Sequence, residues 1–398
     1  MVPRALAPPT ARDSAAGSTT LFSRRMPGVF AVAALAAALA GCSGKPNATR
    51  PGSNPSENFK IGIMTGPVTM AQDDFHAGEQ MERDFAGRVM HVTYPDNFSS
   101  ELETVIAQLS GLAADPAVKV IIVGQAVPGS VAAARKIRET RPDVLIGLVG
   151  PHEEAGAVDP ACDIAIRPDE AARGATVVES AHQMGARNFV HYSFPRHMSL
   201  KPTADRSDVM VRECENRGMK FMFVTSPDPL DSGGLSAAQQ FILADVPHQL
   251  ERLGPATAFY ATDDALQEPM IQTILEAGAG YFVAHDVAAP SQGLPAALGL
   301  KIPGERTGDA AWIAAEIRRA IAERGMSGHF GSWAQPVNAI AIRATTRLLV
   351  DAADKKADVR DSLTVQRYLE REAGGPVRLH RYDASGNQWL MVLDPVTY

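Results

Sequence analysis

Short apolar runs alternate with helical patterns of hydrophobic residues from Phe59 onward. The runs Val118–Val123 and 144–149 are almost wholly apolar, which is typical of parallel strands covered on both faces. Between such runs, apolar residues recur every three or four positions, as at Leu102, Ile106, Leu109 and Leu112, which is the helical period. This repeated alternation of strand and helix predicts an α/β fold with mainly parallel sheets.

The strands fall into two sets. A first set of five is predicted at 59–64, 88–94, 118–123, 144–149 and 162–166, and a second set at 189–194, 220–224, 257–260 and 281–284. A further strand is predicted at 297–302 and a hairpin at 378–382 and 388–393. Helices are expected at 73–85, from 102 after a capping box at Ser100 and Glu103, and at 168–184, 205–215, 236–253, 265–277, 310–323 and 337–352, with Pro247 breaking the fifth.

About ten strand–helix units are too many for one lobe, so two sheets of about five strands each are favoured. A (β/α)8 barrel is the alternative. It fits the irregular loop around Pro227-Asp228-Pro229 and the tail hairpin less well.

The N-terminal segment has the pattern of an export signal. Arg24 and Arg25 precede an apolar run at 29–40, and small residues follow it. A membrane-spanning anchor is the alternative, but spanning needs about 20 apolar residues. Leu39-Ala40-Gly41-Cys42 resembles a lipoprotein signal, in which the cysteine thiol is acylated. We therefore expect a signal peptide at 1–41, a lipid on Cys42 and a flexible tether at 42–58, placing the protein on the periplasmic side of a membrane.

Charge and cysteine content narrow the partners. The formal charge is −7, and residues 1–41 contain four arginines and one aspartate, so residues 42–398 carry about −10. An acidic chain without basic clusters argues against nucleic acid as a partner. Beyond Cys42 there are two cysteines, Cys162 and Cys214, which are expected to be buried free thiols although export would permit a disulfide.

No common catalytic, phosphate-binding or metal-binding motif is present, and neither a metal nor a cofactor is expected. Polar loops at the carboxyl ends of predicted strands remain, where open α/β sheets bind ligands. Tyr94, Asp96 and Asn97 belong to such loops, whereas Trp333 and Asn338 flank a predicted late crossover between the lobes and could reach a cleft. The residues predicted to bind a ligand are Thr65, Asp73, Asp74, Gln125, Phe194, Arg196, His197, Asp263, Gln267 and Trp333. The aspartates could instead cap helices, Arg196 could pair with an acidic residue of its own lobe, and Trp333 could simply pack.

The chain resembles the type I periplasmic binding proteins, and more closely an uncharacterised bacterial lipoprotein family of that superfamily. The segments that carry the resemblance are Phe59-Lys-Ile-Gly-Ile-Met-Thr-Gly66, His91-Val-Thr-Tyr-Pro-Asp-Asn-Phe98, Gln125-Ala-Val-Pro-Gly129, His191-Tyr-Ser-Phe-Pro-Arg-His-Met198 and Gln239-Gln-Phe-Ile-Leu-Ala-Asp-Val-Pro247. The resemblance implies two lobes, each a mainly parallel sheet flanked by helices. Together with the two strand sets, it predicts one lobe from 59–166 with 285–335 and another from 167–284 with 336–398.

The expected function is therefore capture of a small polar solute between two lobes and its delivery to an ABC-type import permease. Arg196 is expected to hold an anionic or hydroxyl group of that solute, with His197 beside it. Three alternatives stay open: a receptor subunit for a membrane sensor, a hydrolase using Asp263 or His197, and a lipoprotein that acts only as a scaffold.

Overall fold

A computed structural model describes residues 59–284, 290–291, 293–384 and 386–398. The predicted signal peptide, Cys42 and the tether lie outside these residues. The described chain contains two sheets, one of seven strands and one of six. The two predicted strand sets lie in different sheets, so the prediction of a two-sheet α/β fold is confirmed and the barrel alternative is wrong.

The first lobe contains the seven-stranded sheet, with strand order β11-β12-β5-β4-β3-β1-β2. All neighbours pair in parallel except the β11–β12 hairpin. Its strands are β1 (Lys60–Thr65), β2 (Val89–Thr93), β3 (Val118–Val123), β4 (Leu145–Val149), β5 (Ile164–Pro168), β11 (Val377–Arg381) and β12 (Gln388–Leu393). Its helices are α1 (Gln72–Asp84), α2 (Leu102–Ala114), α3 (Ser130–Thr140), α4 (Ala155–Val158), α12 (Val337–Ala353) and α13 (Ser362–Ala373).

The second lobe contains the six-stranded sheet, with order β13-β10-β9-β8-β6-β7, parallel except for β13. Its strands are β6 (Asn188–Ser193), β7 (Lys220–Thr225), β8 (Thr257–Ala261), β9 (Tyr281–Ala284), β10 (Phe330–Trp333) and β13 (Pro395–Thr397). Its helices are α5 (Glu170–Met184), α6 (Pro195–Met198), α7 (Lys201–Asn216), α8 (Gly234–Leu253), α9 (Gln267–Ala277), α10 (Leu294–Ala297) and α11 (Ala310–Glu323), with short 3-10 turns at Asp264–Leu266 and Gly304–Arg306.

Helix α12 forms the centre of the first lobe's core. It is buried along most of its length and packs against β3, β4 and α1. Ile340, Ile342 and Leu349 are each fully buried among the side chains of the sheet. A helix that is apolar nearly all round needs cover on all sides, and α1 and α13 supply it here.

The predicted boundaries of the lobes are wrong in the last third of the chain. Residues 294–326 pack in the second lobe's core through Leu294, Ile317 and Ile321, and β10 pairs with β9. Residues 337–393 belong to the first lobe, because α12 covers its sheet and β12 pairs with β5. Among the described residues, the chain therefore changes lobe at 168–170, 333–337 and 393–395, and both 281–284 and 294–326 belong to the second lobe.

Three local predictions also fail, and one helix was missed. Residues 297–302 contain no strand, and a short helix ends there. Pro247 lies inside a continuous α8 and does not break it. The capping box at Ser100 does not form, since the Ser100 hydroxyl donates to the carbonyl of Asn97. Helix α13 was not predicted at all.

A buried ion-pair network attaches α13 to α12. Glu372 accepts hydrogen bonds from Arg343 (3.1 Å) and Arg347 (2.7 Å), and Arg347 also pairs with Asp84 of α1.

Both cysteines beyond the tether, Cys162 and Cys214, are buried and free, as predicted. In the part of the chain that the structure describes, no helix has the length and apolar character needed to cross a bilayer.

Candidate functional site

Four polar side chains meet at the carboxyl edge of the first sheet. Tyr94 follows β2, Gln125 follows β3, Asp74 lies in the first turn of α1, and Asn338 begins α12. We call Asp74, Tyr94, Gln125 and Asn338 the first-lobe cluster. The hydroxyl of Tyr94 donates to Oε1 of Gln125 at 3.2 Å, and the Asn338 amide stabilises the charged form of Asp74.

Two glycines border this cluster for different reasons. A Cβ at Gly66 would lie 2.8 Å from the Tyr94 hydroxyl oxygen, closer than real Cβ atoms approach. Gly150, which follows β4 beside Asn338, has space for a Cβ but adopts φ +54°, which favours glycine. Neither glycine was predicted as part of the site. Their signal in the sequence is their place directly after a strand, where a close approach or a positive φ favours glycine.

Gln125 has a strained backbone. Its φ is +45°, a region that residues with a Cβ adopt rarely and at a cost of about 1–3 kcal/mol. Strain of this kind concentrates at binding and catalytic sites. The strained backbone therefore supports the prediction that Gln125 is a site residue, and the sequence did not reveal this strain.

Asp74 and Asn338 are buried polar side chains with unused acceptors. They are 5% and 7% exposed, and neither Oδ2 of Asp74 nor Oδ1 of Asn338 has a hydrogen-bond partner. Burial, with a smaller contribution from the charge of Asp73, raises the pKa of Asp74 to about 7. A buried carboxylate without a full set of partners is costly, and a ligand with a donor group would supply the missing hydrogen bond.

Asp73 lies where the two lobes touch. Its carboxylate accepts a hydrogen bond from the Ser291 hydroxyl, and burial raises its pKa to about 6. A cavity of about 30 Å³ is lined by Asp73, His76 and Arg343 of the first lobe, Ser291 and Gly308 of the second, and Gln335 of the crossover between them. That volume holds one or two water molecules, so a solute can enter only if the lobes separate.

On the second lobe, Arg196 and His197 follow β6 as predicted, but Arg196 is already paired. Its Nε and Nη2 donate to the two carboxylate oxygens of Asp228 at 2.7 and 2.9 Å, and its guanidinium lies 5.0 Å from the centre of the Phe194 ring. Asp228 thus engages two parallel donors of Arg196, which is the pairing within one lobe that the sequence left open, and ligand binding by Arg196 stays a prediction. The partner comes from the loop after β7, which the sequence analysis noted only as irregular.

Asp263 and His197 lie next to each other. The distance from Nε2 of His197 to Oδ2 of Asp263 is 3.6 Å, and the histidine ring packs 4.3 Å from that of Phe194, centre to centre. Burial lowers the pKa of His197. The carboxylate of Asp263 also accepts from the backbone nitrogen of Ala265, which is the capping role that the sequence left open.

Three predicted site residues are occupied within the protein. Trp333 is fully buried in the first lobe's core, so packing, the alternative stated above, is what the structure shows. Thr65 is buried and shares a 2.8 Å hydrogen bond with His91. Gln267 is buried and its amide donates to Asp264. Within the described ranges, no group of three or more histidine, cysteine or acidic side chains is placed to hold a metal ion.

Comparison with known proteins identifies the family. Residues 59–331 match the sequence profile of the family "Protein of unknown function (DUF3798)", and the chain belongs to this family. Two uncharacterized proteins of Treponema pallidum (strain Nichols) are similar. One is 32% identical over 185 residues, which are 45% of this chain and 84% of the relative, and the other is 36% identical over 167 residues, 42% and 77%.

Solved structures share the fold. The crystal structure of a putative transcriptional regulator from Clostridium difficile 630 has a TM-score of 0.77 at 21% identity, covering 86% of this chain and 99% of that one. A sugar ABC transport substrate-binding protein from Bordetella parapertussis 12822 has a TM-score of 0.51 at 10% identity, covering 85% and 88%. A sugar ABC transporter protein from Actinomyces odontolyticus ATCC 17982 has 0.51 at 11%, covering 87% and 97%. The fold is the two-lobed type I periplasmic-binding-protein fold.

We expect ionisation of Asp74 to destabilise the ligand-free protein. Because its pKa is raised in the folded state, the folded protein binds more protons than the unfolded chain between about pH 4 and pH 7, so stability falls as the pH rises. Asp74→Asn should remove this loss, so its advantage in unfolding free energy over the wild type should grow by about 2–3 kcal/mol between pH 5 and pH 8. Urea unfolding at both pH values measures the effect. The exposed residue Asp208, changed to asparagine, is the matched control, and an advantage that does not grow between the two pH values would contradict the assignment.

Arg196→Ala is expected to weaken the fold without ligand. The change leaves Asp228, which is 7% exposed, without its partner. A partly exposed pair of this kind is worth about 1 kcal/mol. The Arg196 guanidinium lowers the pKa of Asp228 to about 2, so its contribution should be present at neutral pH and shrink as the pH falls towards 2. Urea midpoints at pH 7 and pH 3 test this, with Arg196→Lys restoring charge but not the two parallel bonds. An unchanged midpoint at pH 7 would favour the ligand-binding role first predicted.

Proposed function

We propose that this member of the DUF3798 family is an extracytoplasmic solute-binding lipoprotein that captures a small polar ligand between its two lobes. It is held on the periplasmic side of a membrane by a lipid on Cys42 and delivers its ligand to an ABC-type import permease. The observation that carries the proposal is the first-lobe cluster. It contains two nearly fully buried acceptors without partners and a strained backbone at Gln125.

The architecture supports binding with closure. The carboxyl edges of both sheets carry polar loops, and open α/β sheets bind ligands beyond those edges. The chain passes between the lobes at three places, 168–170, 333–337 and 393–395, and such short segments suit a hinge. Asn338 lies immediately after the second of these, so a ligand on its amide would be held close to the hinge.

Contacts between the lobes support two states of the hinge. Asp73 of α1 and Ser291 of the second lobe are hydrogen bonded, and the cavity beside them holds no more than a few waters. A ligand of sugar or amino-acid size requires this contact to open. It would favour closure again only through contacts with both lobes.

The sequence before residue 59 supports the anchoring. Leu39-Ala40-Gly41-Cys42 follows an apolar run of twelve residues, which is too short to span a bilayer. Residues 43–58 contain three prolines and no apolar run, so they suit a flexible tether of about 20 Å. The fold shared with substrate-binding proteins of sugar ABC transporters supports a permease as partner.

The proposal predicts a ligand that can be removed and returned. Protein stripped by unfolding and refolding should regain stability and a smaller radius of gyration when given the small-molecule fraction released from native protein. Asn338→Leu replaces the amide by an apolar side chain of similar shape and so removes a buried acceptor. It should lower the affinity for the ligand about 10- to 100-fold, since an unpaired buried polar group costs about 1–3 kcal/mol. Small-angle scattering and calorimetry measure both. If neither melting temperature nor radius responds to that fraction, the proposal fails; chemical turnover of the ligand would favour a hydrolase instead.

Cys42 is predicted to carry the lipid. Cys42→Ala should leave an unprocessed precursor or move the protein from the membrane fraction to the soluble fraction, because the acyl chains would be lost. Intact-mass measurement of the membrane-extracted protein should show removal of residues 1–41 and added acyl mass. Ser43→Ala is the matched control and should remain at the membrane. An unmodified Cys42 in the membrane-extracted protein would refute this part.

A further inference from the structure

We propose that the ligand is a small organic cation, with its ammonium group bound by Asp74 and Asn338 of the first-lobe cluster. This inference rests on the proposed function and narrows it to one class of solute. It also replaces the earlier expectation of a carboxylated or hydroxylated ligand held by Arg196.

The loops at the carboxyl edges of the two sheets are strongly acidic, which favours a cationic ligand. The segments that follow β1 to β4 and β6 to β8 are 66–74, 94–102, 124–131, 150–155, 194–200, 226–234 and 262–267. They contain ten aspartates and glutamates and one lysine or arginine, Arg196. The whole chain is nearly balanced, with 45 acidic and 38 basic residues. The excess is therefore concentrated at these edges, and a cleft lined by one sign of charge attracts the opposite sign.

The nearby arginines are already paired. Arg196 donates two hydrogen bonds to Asp228. Arg343, on the cavity beside Asp73, donates to Glu372 at 3.1 Å and to Gln335 at 3.0 Å. An anionic ligand would have to displace one of these carboxylates, and its own charge would be repelled by the acidic edges. Anionic solutes are therefore disfavoured.

The unpaired acceptors of the first-lobe cluster favour an ammonium group in particular. Oδ2 of Asp74 and Oδ1 of Asn338 are both buried and both lack a donor, while Gln125 already accepts from Tyr94. A neutral polyol would supply the two donors, but Asp74 would then either carry a buried charge without compensation or take up a proton, which turns one of its acceptors into a donor. An ammonium group supplies the donors together with a compensating charge, which buried carboxylates require.

Proton linkage follows from this arrangement. Asp73 on α1 and Tyr94 after β2 interact electrostatically with Asp74, and His76 of α1 and Arg343 of α12 act on Asp73. His91 of β2 packs against Phe75, the next residue of α1. Burial raises the pKa of Asp74 to about 7 and lowers that of His91. A cation beside Asp74 favours its ionised form, so binding should release a proton near pH 6–7 and tighten as the pH rises.

The test compares matched charged and neutral probes on the intact, ligand-stripped chain. A panel of organic cations (putrescine, spermidine, choline, agmatine) is titrated by calorimetry beside 1,4-butanediol, ribose and citrate at pH 5.5 and pH 8. We expect at least one cation to bind, at least tenfold more tightly at pH 8 than at pH 5.5, with buffer-dependent enthalpies showing proton release. The diol that matches putrescine in length should not bind. Native mass spectrometry of unstripped protein should reveal a nitrogenous base.

Asp74→Asn should lose at least tenfold in cation affinity while remaining folded, since its stability relative to the wild type is expected to rise towards pH 8. Asp208→Asn should bind as the wild type does. Binding of ribose, the diol or citrate without any cation would overturn the cationic assignment and leave solute binding intact. Binding of none of the probes, together with a non-basic or absent co-purified molecule, would also overturn it. The return of the released small-molecule fraction tests the proposed function separately.

Discussion

Burial of both faces of two parallel sheets is the constraint on which the remaining structure depends. Strands such as β3, with its isoleucines and valines, have no polar face to turn to water, so helices must cover both sides. Parallel pairing then directs the loop after every such strand to the same edge. The first-lobe cluster exists because β2, β3 and the helices α1 and α12 all end or begin at that edge. Its residues are distant in sequence and close in space for this reason alone.

Much of the fold could be predicted because it depends on local patterns. Apolar runs and helical periods are visible in any window of a dozen residues, and they located β1 to β9 and most helices. Strand pairing in the last third is not local. The sequence of residues 330–333 does not indicate that this strand pairs with β9. The sequence of residues 388–393 likewise does not indicate pairing with β5. Helix α12 is buried on nearly all sides, including Arg343, so its sequence does not show which lobe it covers. Most of residues 285–335 and 336–398 were assigned to the wrong lobes because neither the strand partners nor the lobe covered by α12 could be inferred from local sequence.

The site was predicted in part for the same reason. The rule that ligands bind beyond the carboxyl ends of strands placed Asp73, Asp74 and Gln125 at the right edge. It could not show that Asp228 would take both donors of Arg196, because the partners are 32 residues apart and on separate loops. Nor could it show that Trp333 is fully buried beneath the crossover. Charge and aromaticity at a strand end mark a candidate, but whether the side chain is available depends on its three-dimensional partners.

The first-lobe cluster combines two features that oppose stability, a strained Gln125 and a carboxylate at Asp74 that burial makes hard to ionise. A core selected for stability alone would replace them, since a glycine accepts the backbone and an asparagine carries no charge. Their combination at one edge is therefore better explained by what binds there than by folding. A ligand that compensates the Asp74 charge gains the free energy that the ligand-free protein lacks. Asp73 and Asp74 are adjacent on α1, and Asp73 accepts a hydrogen bond from Ser291 of the second lobe. The same turn of helix thus connects occupation of the cluster to the contact between the lobes.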